Sequence, residues 1–406
     1  MKKIFTLLGL LLCLQNLAFS QGENANWYFG SNAGIVFTAS GPQALTNSAM
    51  ASYEACASAS DANGNLLFYT NSVTIWNRNH QLMVNGQNIG GHESASQGAT
   101  IVRNPANSMQ YYVFVVDGCD NNLVGGLKYS LVDMSRQSGD GEVISRRVQV
   151  STTSLTEKLT AIAHANGRDT WILVHGWQND QFQAFLVTPT GVSLIPGVSS
   201  IGSVHSGGGG ALGNANGVGY MKASPDGRKL ALGIRDSRFE LFDFNPSTGS
   251  VSNYIPLPQF YHSYGVEFSP DGSRLYGGNL DGNKIYQFNL LAGSAGSIAA
   301  SAVEVANASN LTGALQLGPD GRIYVSLFGS GSLGVINTPN ALGTACGFQP
   351  NGVSLGGRAG QLGLPNFPNR FAQPTVTAAI TVAPVCVGAA VFSVALSPVV
   401  PTATVA

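Results

Sequence analysis

Short runs of apolar, β-branched and aromatic residues recur along most of the chain and are separated by polar turns. Examples are the runs 220–223, 229–234 and 239–244, and later 266–268, 274–276 and 284–288. Runs of this length and composition, bounded by Gly, Pro, Asn and Asp, are typical of β-strands. The spacing of three and four residues that marks an amphipathic helix is missing. The pattern therefore predicts an all-β fold.

A turn signature repeats between these runs. The sequence is Ser-Pro-Asp-Gly at 224–227 and 269–272 and Gly-Pro-Asp-Gly at 318–321, so the final glycines are 45 and 49 positions apart. Looser versions occur at 61–64, 104–107 and 164–167. Proline presets φ at the second turn position, aspartate bonds to the local backbone, and glycine accepts a positive φ. These residues predict one tight turn per repeat.

The repeat length indicates a β-propeller built from WD-like units of about four strands. Six units are readable, near 51–90, 98–150, 158–200, 217–260, 263–300 and 312–345. Residues 21–371 hold about seven units of about 50 residues. We therefore predict seven blades, with the last assembled from 27–37 and 362–371 so that Trp27 meets Phe367. Six blades is the alternative.

The N-terminal segment has the pattern of an export signal. Lys2 and Lys3 precede a leucine-rich run, and Ala18-Phe19-Ser20 forms a small-x-small cleavage site. The run is shorter than the roughly 20 apolar residues that a spanning helix needs. Residues 1–20 are thus predicted to be a cleaved signal peptide, and the mature chain to be secreted or on the cell surface, without a transmembrane span.

Export changes how the cysteines are interpreted, because disulfides form in oxidising compartments. Cys56, Cys119, Cys346 and Cys386 remain after cleavage, and four cysteines allow three pairings. Closure of the ring would bring the first readable blade near the last. Cys56 and Cys346 are therefore the candidate disulfide, with two buried thiols as the alternative.

Composition narrows the function and marks a second domain. Charged residues are 10% of the chain, and 20 basic residues stand against 21 acidic ones, which argues against a nucleic-acid partner. Residues 372–406 consist largely of Ala, Val, Thr, Pro and Ser, with strand-like runs at 376–382 and 390–396. This segment is predicted to be the start of a truncated immunoglobulin-like or PKD domain.

Several motifs together resemble a known family. They are Asn-Trp-Tyr-Phe-Gly at 26–30, Asp-Ala-Asn-Gly-Asn-Leu-Leu-Phe-Tyr-Thr at 61–70, the stretches 75–80 and 264–272, and Gly-Leu-Pro-Asn-Phe at 363–367. They resemble the N-terminal propeller of large exported bacterial surface proteins with PKD or immunoglobulin-like repeats. Such proteins usually end in a gliding-motility-associated or type IX secretion sorting domain. The resemblance implies a surface location and no settled biochemical activity.

Candidate ligand residues lie on loops between predicted blades. His92, His205 and His262 are each close to a serine, and Tyr261 and Tyr264 flank His262–Ser263. Converging imidazoles with aromatic surfaces suit a ligand rim on the propeller face. The alternative is that each histidine bonds its own loop, and no metal site, cofactor or catalytic residue is predicted. Lys222 and Glu267, at equivalent positions of successive blades, predict a structural ion pair.

These observations favour a non-catalytic propeller that binds an extracellular glycan or protein as the monomeric head of a larger adhesive protein. The first alternative is a hydrolase or lyase acting on extracellular polysaccharide, which requires titratable groups with shifted pKa values in a central pocket. The second alternative is a structural spacer without a ligand.

Overall fold

In the computed structural model, the described residues are 22–369 and the two strands Val376–Val382 and Phe392–Pro398. They consist mainly of strands and turns, so the predicted all-β class is confirmed. The described part contains one short α-helix, α1 (Ala295–Ala300), whose N-cap Ser294 accepts a hydrogen bond from the Ser297 amide. Short 3₁₀ turns lie at Gly22–Asn24, Cys119–Asn121, Gln137–Gly139, Ala215–Gly217 and Gly343–Cys346.

The strands of residues 22–369 follow one another as seven antiparallel meanders, numbered here as sheets 1 to 7 in chain order. Sheet 1 contains β1 (Asn26–Phe29), β2 (Ala33–Thr38) and β3 (Gly41–Leu45). Sheet 2 contains β4 (Ala57–Ser60), β5 (Leu66–Thr70), β6 (Thr74–Asn77) and β7 (Leu82–Gln87). Sheet 3 contains β8 (Ala99–Arg103), β9 (Gln110–Val115), β10 (Leu127–Asp133) and β11 (Glu142–Ser151). Sheet 4 contains β12 (Leu155–Ala163), β13 (Thr170–Gly176), β14 (Gln181–Thr188), β15 (Gly191–Val192) and β16 (Gly197–Ser200). Sheet 5 contains β17 (Met221–Ala223), β18 (Lys229–Gly233), β19 (Arg238–Asn245) and β20 (Ser250–Gln259). Sheet 6 contains β21 (Ser263–Phe268), β22 (Arg274–Asn279), β23 (Lys284–Asn289) and β24 (Val303–Asn307). Sheet 7 contains β25 (Thr312–Leu317), β26 (Ile323–Leu327), β27 (Ser332–Ile336) and β28 (Phe348–Ser354). A single parallel bridge between Val84 and Glu142 joins sheets 2 and 3 into one ladder.

The repeated turn signature joins the first and second strands of sheets 2 to 7. In sheet 5 the Gly227 amide donates to the Ser224 carbonyl at 2.7 Å, and the Ser224 hydroxyl donates to Asp226 at 2.6 Å. Sheet 6 repeats the turn, with the Gly272 amide 2.9 Å from the Ser269 carbonyl. Gly227 and Gly272 have φ of 67° and 70°, which a side chain disfavours. The repeat inferred from the sequence is therefore a structural repeat.

The first strands of the meanders form the centre of this unit. Each packs against the next, in the order β1, β4, β8, β12, β17, β21 and β25. They are buried almost throughout, and one of them, Ala57–Ser60, consists of small residues only, with the sequence ASAS. Successive meanders that pack through their first strands are the arrangement of a β-propeller.

Residues 359–369, here called the closing segment, connect the last sheet to the first ones. The Ala314 amide donates to the Leu362 carbonyl at 2.7 Å, and the Leu362 amide donates to the Tyr53 carbonyl at 2.9 Å. Further along, Asn369 exchanges backbone hydrogen bonds with Ala161 and Ala163 on β12. The segment thus bonds to residues in or beside the first strands of sheets 7, 2 and 4.

The closing segment differs from the expectation that 362–371 would complete the N-terminal sheet. Sheet 1 is built from residues 26–45 alone, and the bridge from Ser31 to Ala359 is its one backbone pairing with the described part of the closing segment. The segment instead runs along sheets 3 and 4, where the Asn366 side-chain amide donates to the carbonyls of Ala99 and Leu159 at 3.2 and 2.7 Å. The expected contact between Trp27 and Phe367 is present, with ring centroids 5.8 Å apart.

Residues 371–406 form a second compact unit, separate from residues 1–370. Its described strands, β29 (Val376–Val382) and β30 (Phe392–Pro398), pair antiparallel from Val376 with Pro398 to Val382 with Phe392. The predicted signal peptide, 1–20, lies outside the described residues, as does the rest of 372–406. Among the described residues, no helix has the length and apolarity required to cross a membrane.

Candidate functional site

The meander topology places two sets of loops on one face of the unit. Because strands alternate in direction, the loop entering a first strand and the loop joining the second strand to the third lie at the same end of a sheet. We call this end the loop face. The repeated Ser-Pro-Asp-Gly turns lie at the opposite face. His92, His205, Tyr261 and His262 all belong to loops of the loop face.

A cleft of about 480 Å³ opens on the loop face beside sheets 3, 4 and 5. Its polar and aromatic lining comes from four different loops and consists of Asn122, Ser154, Trp177, Gln178 and Asn214. A glycine-rich loop, 207–213, contributes Gly207, Leu212 and Gly213 to the wall. None of these lining residues carries a formal charge.

The glycine-rich loop is held in place from outside the cleft. Gly207, Gly208, Gly210 and Gly213 have φ between 64° and 99°, so this path requires residues without a Cβ. The Gly209 amide donates to the Asp236 carboxylate at 2.6 Å. This hydrogen bond joins the loop to Asp236 in the loop between β18 and β19.

Most polar side chains in the cleft lining have no hydrogen-bond partner among the described residues. In residues 22–369, no hydrogen bond uses the Ser154 hydroxyl, the Trp177 indole N–H, or the side-chain amides of Asn122 and Gln178. Asn214 donates its amide to the Cys119 carbonyl at 2.8 Å, which leaves its own side-chain oxygen free. The cleft therefore presents neutral donors and acceptors to a ligand.

Two adjacent buried residues of β12, Glu157 and Lys158, form their hydrogen bonds with loops beside the cleft. Glu157 accepts from the Ser96 amide and hydroxyl at 2.9 and 2.6 Å and from the Cys119 amide at 2.7 Å. Lys158 donates to the carbonyls of Gly217 and Val218 at 3.1 and 3.0 Å. Burial lowers the pKa of Lys158 to about 8, partly opposed by the nearby Cys119 and Glu157. Neither side chain lines the cleft.

Two histidines stack in the interior next to these residues. The rings of His175 and His205 are 3.6 Å apart and nearly parallel, and both side chains are buried. His205 Nε2 is 3.9 Å from the buried Glu240 carboxylate, and neither ring nitrogen of His205 has a hydrogen-bond partner. Burial lowers the pKa of each histidine well below its usual value, and for His175 the charge of His205 adds to this effect. The two rings are therefore held neutral.

The other predicted rim residues are not brought together by contacts. His92 is half-buried, and its Nδ1 accepts from the Ser94 amide at 3.3 Å. His262 pairs with Asp281, with Nδ1 and Oδ2 2.8 Å apart, and Tyr261 beside it is 65% exposed. None of the three lines the cleft.

Tyr264 and His205 do not form part of an exposed rim. Tyr264 is fully buried, and its hydroxyl donates to Glu54 Oε1 at 2.7 Å. Its ring packs edge-on against Tyr220, with centroids 5.3 Å apart. The expectation of a stacking surface fails here because this tyrosine begins a buried first strand. His205 is turned inward by its stacking on His175.

The candidate disulfide between Cys56 and Cys346 is not formed. Cys56, Cys119 and Cys346 are free, buried thiols. Cys56 packs in the largest apolar cluster, with Trp27, whereas Cys346 packs in a different cluster, with Tyr276. The alternative of buried thiols is therefore the correct one.

Further buried charges lie along the first strands. Glu54 accepts from Tyr264 and from the Ser94 hydroxyl, and burial together with the charge of Glu157 raises the pKa of Glu54 well above its usual value. The predicted pair of Lys222 and Glu267 is confirmed, with Nζ and Oε2 3.8 Å apart. In residues 22–369, no cluster of His, Cys, Asp or Glu is arranged to hold a metal ion.

Sequence reasoning missed the cleft and the two charged residues of β12. Glu157 and Lys158 are adjacent charged residues inside the otherwise apolar strand β12, and this break in pattern was the available signal. Trp177 and Asn122 stand in ordinary polar loops. Only the packing of three sheets brings them to one cleft, so spacing along the chain carried no sign of it.

No family model matches the chain, and no curated protein matches its sequence. Among solved structures, it is similar to a candidate 6-phosphogluconolactonase from Bacteroides fragilis, with 13% identity, a TM-score of 0.48, and coverage of 77% of this chain and 90% of that one. It is also similar to a periplasmic gluconolactonase from Pseudomonas aeruginosa, with 17% identity, a TM-score of 0.41, and coverage of 59% and 68%. A third is a β-propeller domain from Myceliophteria thermophila, with 12% identity, a TM-score of 0.42, and coverage of 75% and 93%.

Proposed function

We propose that the chain is a seven-bladed β-propeller that acts outside the cell as a non-catalytic binding or adhesion module for a glycan or protein. The observation that carries this proposal is the cleft beside Trp177. Its lining offers neutral polar groups without a hydrogen-bond partner in residues 22–369. Its volume falls within the range of about 300–1,000 Å³ that is usual for ligand sites, although its lining is more polar than that of most such sites.

Binding is favoured over catalysis because the buried carboxyl groups near the cleft already accept hydrogen bonds from the protein. Acid–base chemistry on a polysaccharide needs a carboxyl group within hydrogen-bond reach of the substrate. Both oxygens of Glu157 accept hydrogen bonds from the protein, and Glu54 is bonded to Tyr264 and Ser94. Neither of these two buried carboxyl groups lines the cleft.

The proposal extends to the setting of the module. Sheets 1 to 7 would be the seven blades, and the first of them has three strands. Residues 372–406 would begin a PKD or immunoglobulin-like domain. The propeller would then be the monomeric head of a surface protein of the gliding-motility-associated, type IX secretion kind, exported after cleavage near Ser20.

The experiment is a binding screen of the mature full chain on glycan and protein arrays, with and without EDTA. Release of reducing ends from bound polymers is measured in parallel. We expect saturable binding that is unaffected by chelation and produces no new ends. Product release would instead establish the enzyme alternative, and failure to bind any ligand would favour the spacer.

A matched pair of variants tests the position of the site. Ser154→Trp places a large ring in the cleft, at an exposed serine with no side-chain partner. Ser247→Trp makes the same change at an exposed serine on the opposite face. We expect the first variant to lose binding and the second to retain it. Equal binding by both variants would contradict the assignment of this cleft.

A further inference from the structure

We infer that the cleft takes a short, uncharged segment of carbohydrate that packs on Trp177. This inference rests on the proposed binding function and narrows its ligand to one chemical class. It depends on three properties of the lining. These are polar side chains without a hydrogen-bond partner among the described residues, the absence of charged lining residues, and one partly exposed indole.

The first property sets the cleft apart from neighbouring loops. Elsewhere on the loop face, asparagine side chains stabilise the loops themselves. Asn71 Oδ1 accepts from the amides of Val73 and Thr74, and Asn179 Oδ1 accepts from the Gln181 amide. The side chains of Asn122 and Gln178 have no such role. An amide presents both donors and acceptors, which matches hydroxyl groups that also do both.

The second property disfavours anionic ligands. An anion entering the cleft loses hydration and gains no opposite charge from the lining. The charges nearest in sequence to the lining are two carboxylates, Asp120 and Asp180, each two residues from a lining amide, and they add no positive charge that could attract an anion. Asp117 is held by Asn121, and Lys158 donates to backbone carbonyls. A neutral, hydroxyl-rich ligand incurs no such penalty.

The third property supplies an apolar surface beside the polar groups. Trp177 is partly exposed, and its indole N–H has no acceptor among the described residues. Its ring rests near the backbone of Gly217, where an added Cβ would lie 3.7 Å from the ring. A sugar ring has one face of C–H groups and a rim of hydroxyls, so it can pack on the indole while its hydroxyls reach the amides. Peptides lack this combination unless a specific side chain supplies it.

The test uses the mature full chain with defined saccharides. The probes are neutral di- and trisaccharides of glucose, galactose, mannose and xylose, and uronic acids of matched size. Titration calorimetry gives affinity, and the part of the tryptophan fluorescence change that is lost in Trp177→Phe reports on Trp177, one of four tryptophans. We expect at least one neutral saccharide to bind saturably with a change in fluorescence, and its uronic-acid counterpart to bind about tenfold more weakly or not at all.

Four variants separate this site from the rest of the loop face. Trp177→Ala should weaken binding about tenfold to a hundredfold, as expected for an aromatic anchor, and Trp177→Phe should weaken it less. Gln178→Ala should weaken it a few-fold. Tyr261→Ala, which removes an exposed ring outside the cleft, should leave affinity unchanged. Circular dichroism and thermal unfolding check that each variant is folded.

The outcomes distinguish this inference from the function on which it rests. If saccharides fail to bind but a protein ligand binds and is lost with Ser154→Trp, the carbohydrate inference is wrong and the binding module stands. Saccharide affinity that is unchanged by both Trp177→Ala and Gln178→Ala would place the carbohydrate elsewhere and overturn the inference. If the chain binds no ligand of either class, the proposed function is itself wrong.

Discussion

The rings of Trp27 and Phe367 lie in contact, with centroids 5.8 Å apart and planes inclined by 42°. Trp27 belongs to the first strand of the described chain, and Phe367 belongs to the closing segment. Trp27 also packs edge-on against Tyr324 of sheet 7, at 5.4 Å. One buried indole therefore joins the first sheet, the last sheet and the closing segment.

Replacing Phe367 with alanine should destabilise the whole unit. Phe367 is buried, and removal of a buried phenyl ring typically costs about 3–5 kcal/mol of unfolding free energy. Urea denaturation at neutral pH measures the change. The control is Tyr261→Ala, an exposed aromatic residue, which should stay within about 0.5 kcal/mol of wild type. A small effect of Phe367→Ala would show that the closing segment is dispensable for stability.

Acid should destabilise the protein through the stacked histidines. Burial lowers the pKa of His175 and His205 in the folded protein, whereas unfolded histidine titrates near 6.5. Above about pH 6.5 both states are neutral and the histidines contribute no pH dependence. Below that pH the unfolded chain gains protons that the folded one excludes, so stability falls by up to about 1.4 kcal/mol per pH unit per histidine, down to the folded pKa.

The variant His205→Phe isolates this effect. Phenylalanine can keep the stacking on His175 and removes two ring nitrogens without partners. We expect unfolding free energy at pH 7.5 to be equal or higher than wild type, and its decline between pH 7.5 and 5 to be smaller. The raised pKa of Glu54 makes the folded state more stable as pH falls, which opposes the effect of the histidines. Because Glu54 is present in both proteins, its contribution cancels in the comparison. Identical pH profiles would contradict the prediction.

The repeat could be predicted from sequence because it is local. Asp226 and Gly227 define their turn within a few residues, and each strand lies next to its partner in the chain. The position of Asn366 could not be predicted, since its amide bonds to carbonyls on sheets 3 and 4. Tyr264 was misjudged because an aromatic residue beside a loop histidine has the same pattern whether its ring faces solvent or the core.

Removing one partner of the Lys222–Glu267 ion pair should lower the unfolding free energy strongly, whereas replacing both partners with neutral residues should lower it much less. Lys222→Met leaves a buried carboxylate that accepts from the amides of Phe268 and Leu317 but loses its cation. We expect a loss of about 3–5 kcal/mol at pH 7. The double variant Lys222→Met with Glu267→Gln should regain much of this loss. Urea denaturation of the wild type, the single variant and the double variant measures it.

The pH dependence of Lys222→Met gives a second test of that pair. Burial already raises the pKa of Glu267, and loss of the lysine should raise it further. The destabilisation should therefore shrink as pH falls and Glu267 becomes protonated in the folded state. A cost that stays constant from pH 8 to pH 5 would show that charge is not its origin.

Thiol chemistry should be slow in the folded protein. Cys56, Cys119 and Cys346 are free and buried, and burial raises the pKa of each thiol. Since the thiolate is the reactive form, iodoacetamide at pH 7.5 should label these three positions slowly until denaturant is added. Peptide mass spectrometry locates the label. A Cys56–Cys346 peptide that separates only after reduction would contradict the structure.

Synthesis on the ribosome gives the closing segment a further significance. Until Asn366 and Asn369 emerge, the carbonyls of Ala99, Leu159 and Ala161 lack the donors that satisfy them in the finished protein. The nascent sheets must therefore remain partly assembled until residues made after all seven of them emerge. Chains released before Asn369 should be substrates for chaperones and proteases rather than shortened versions of the same molecule.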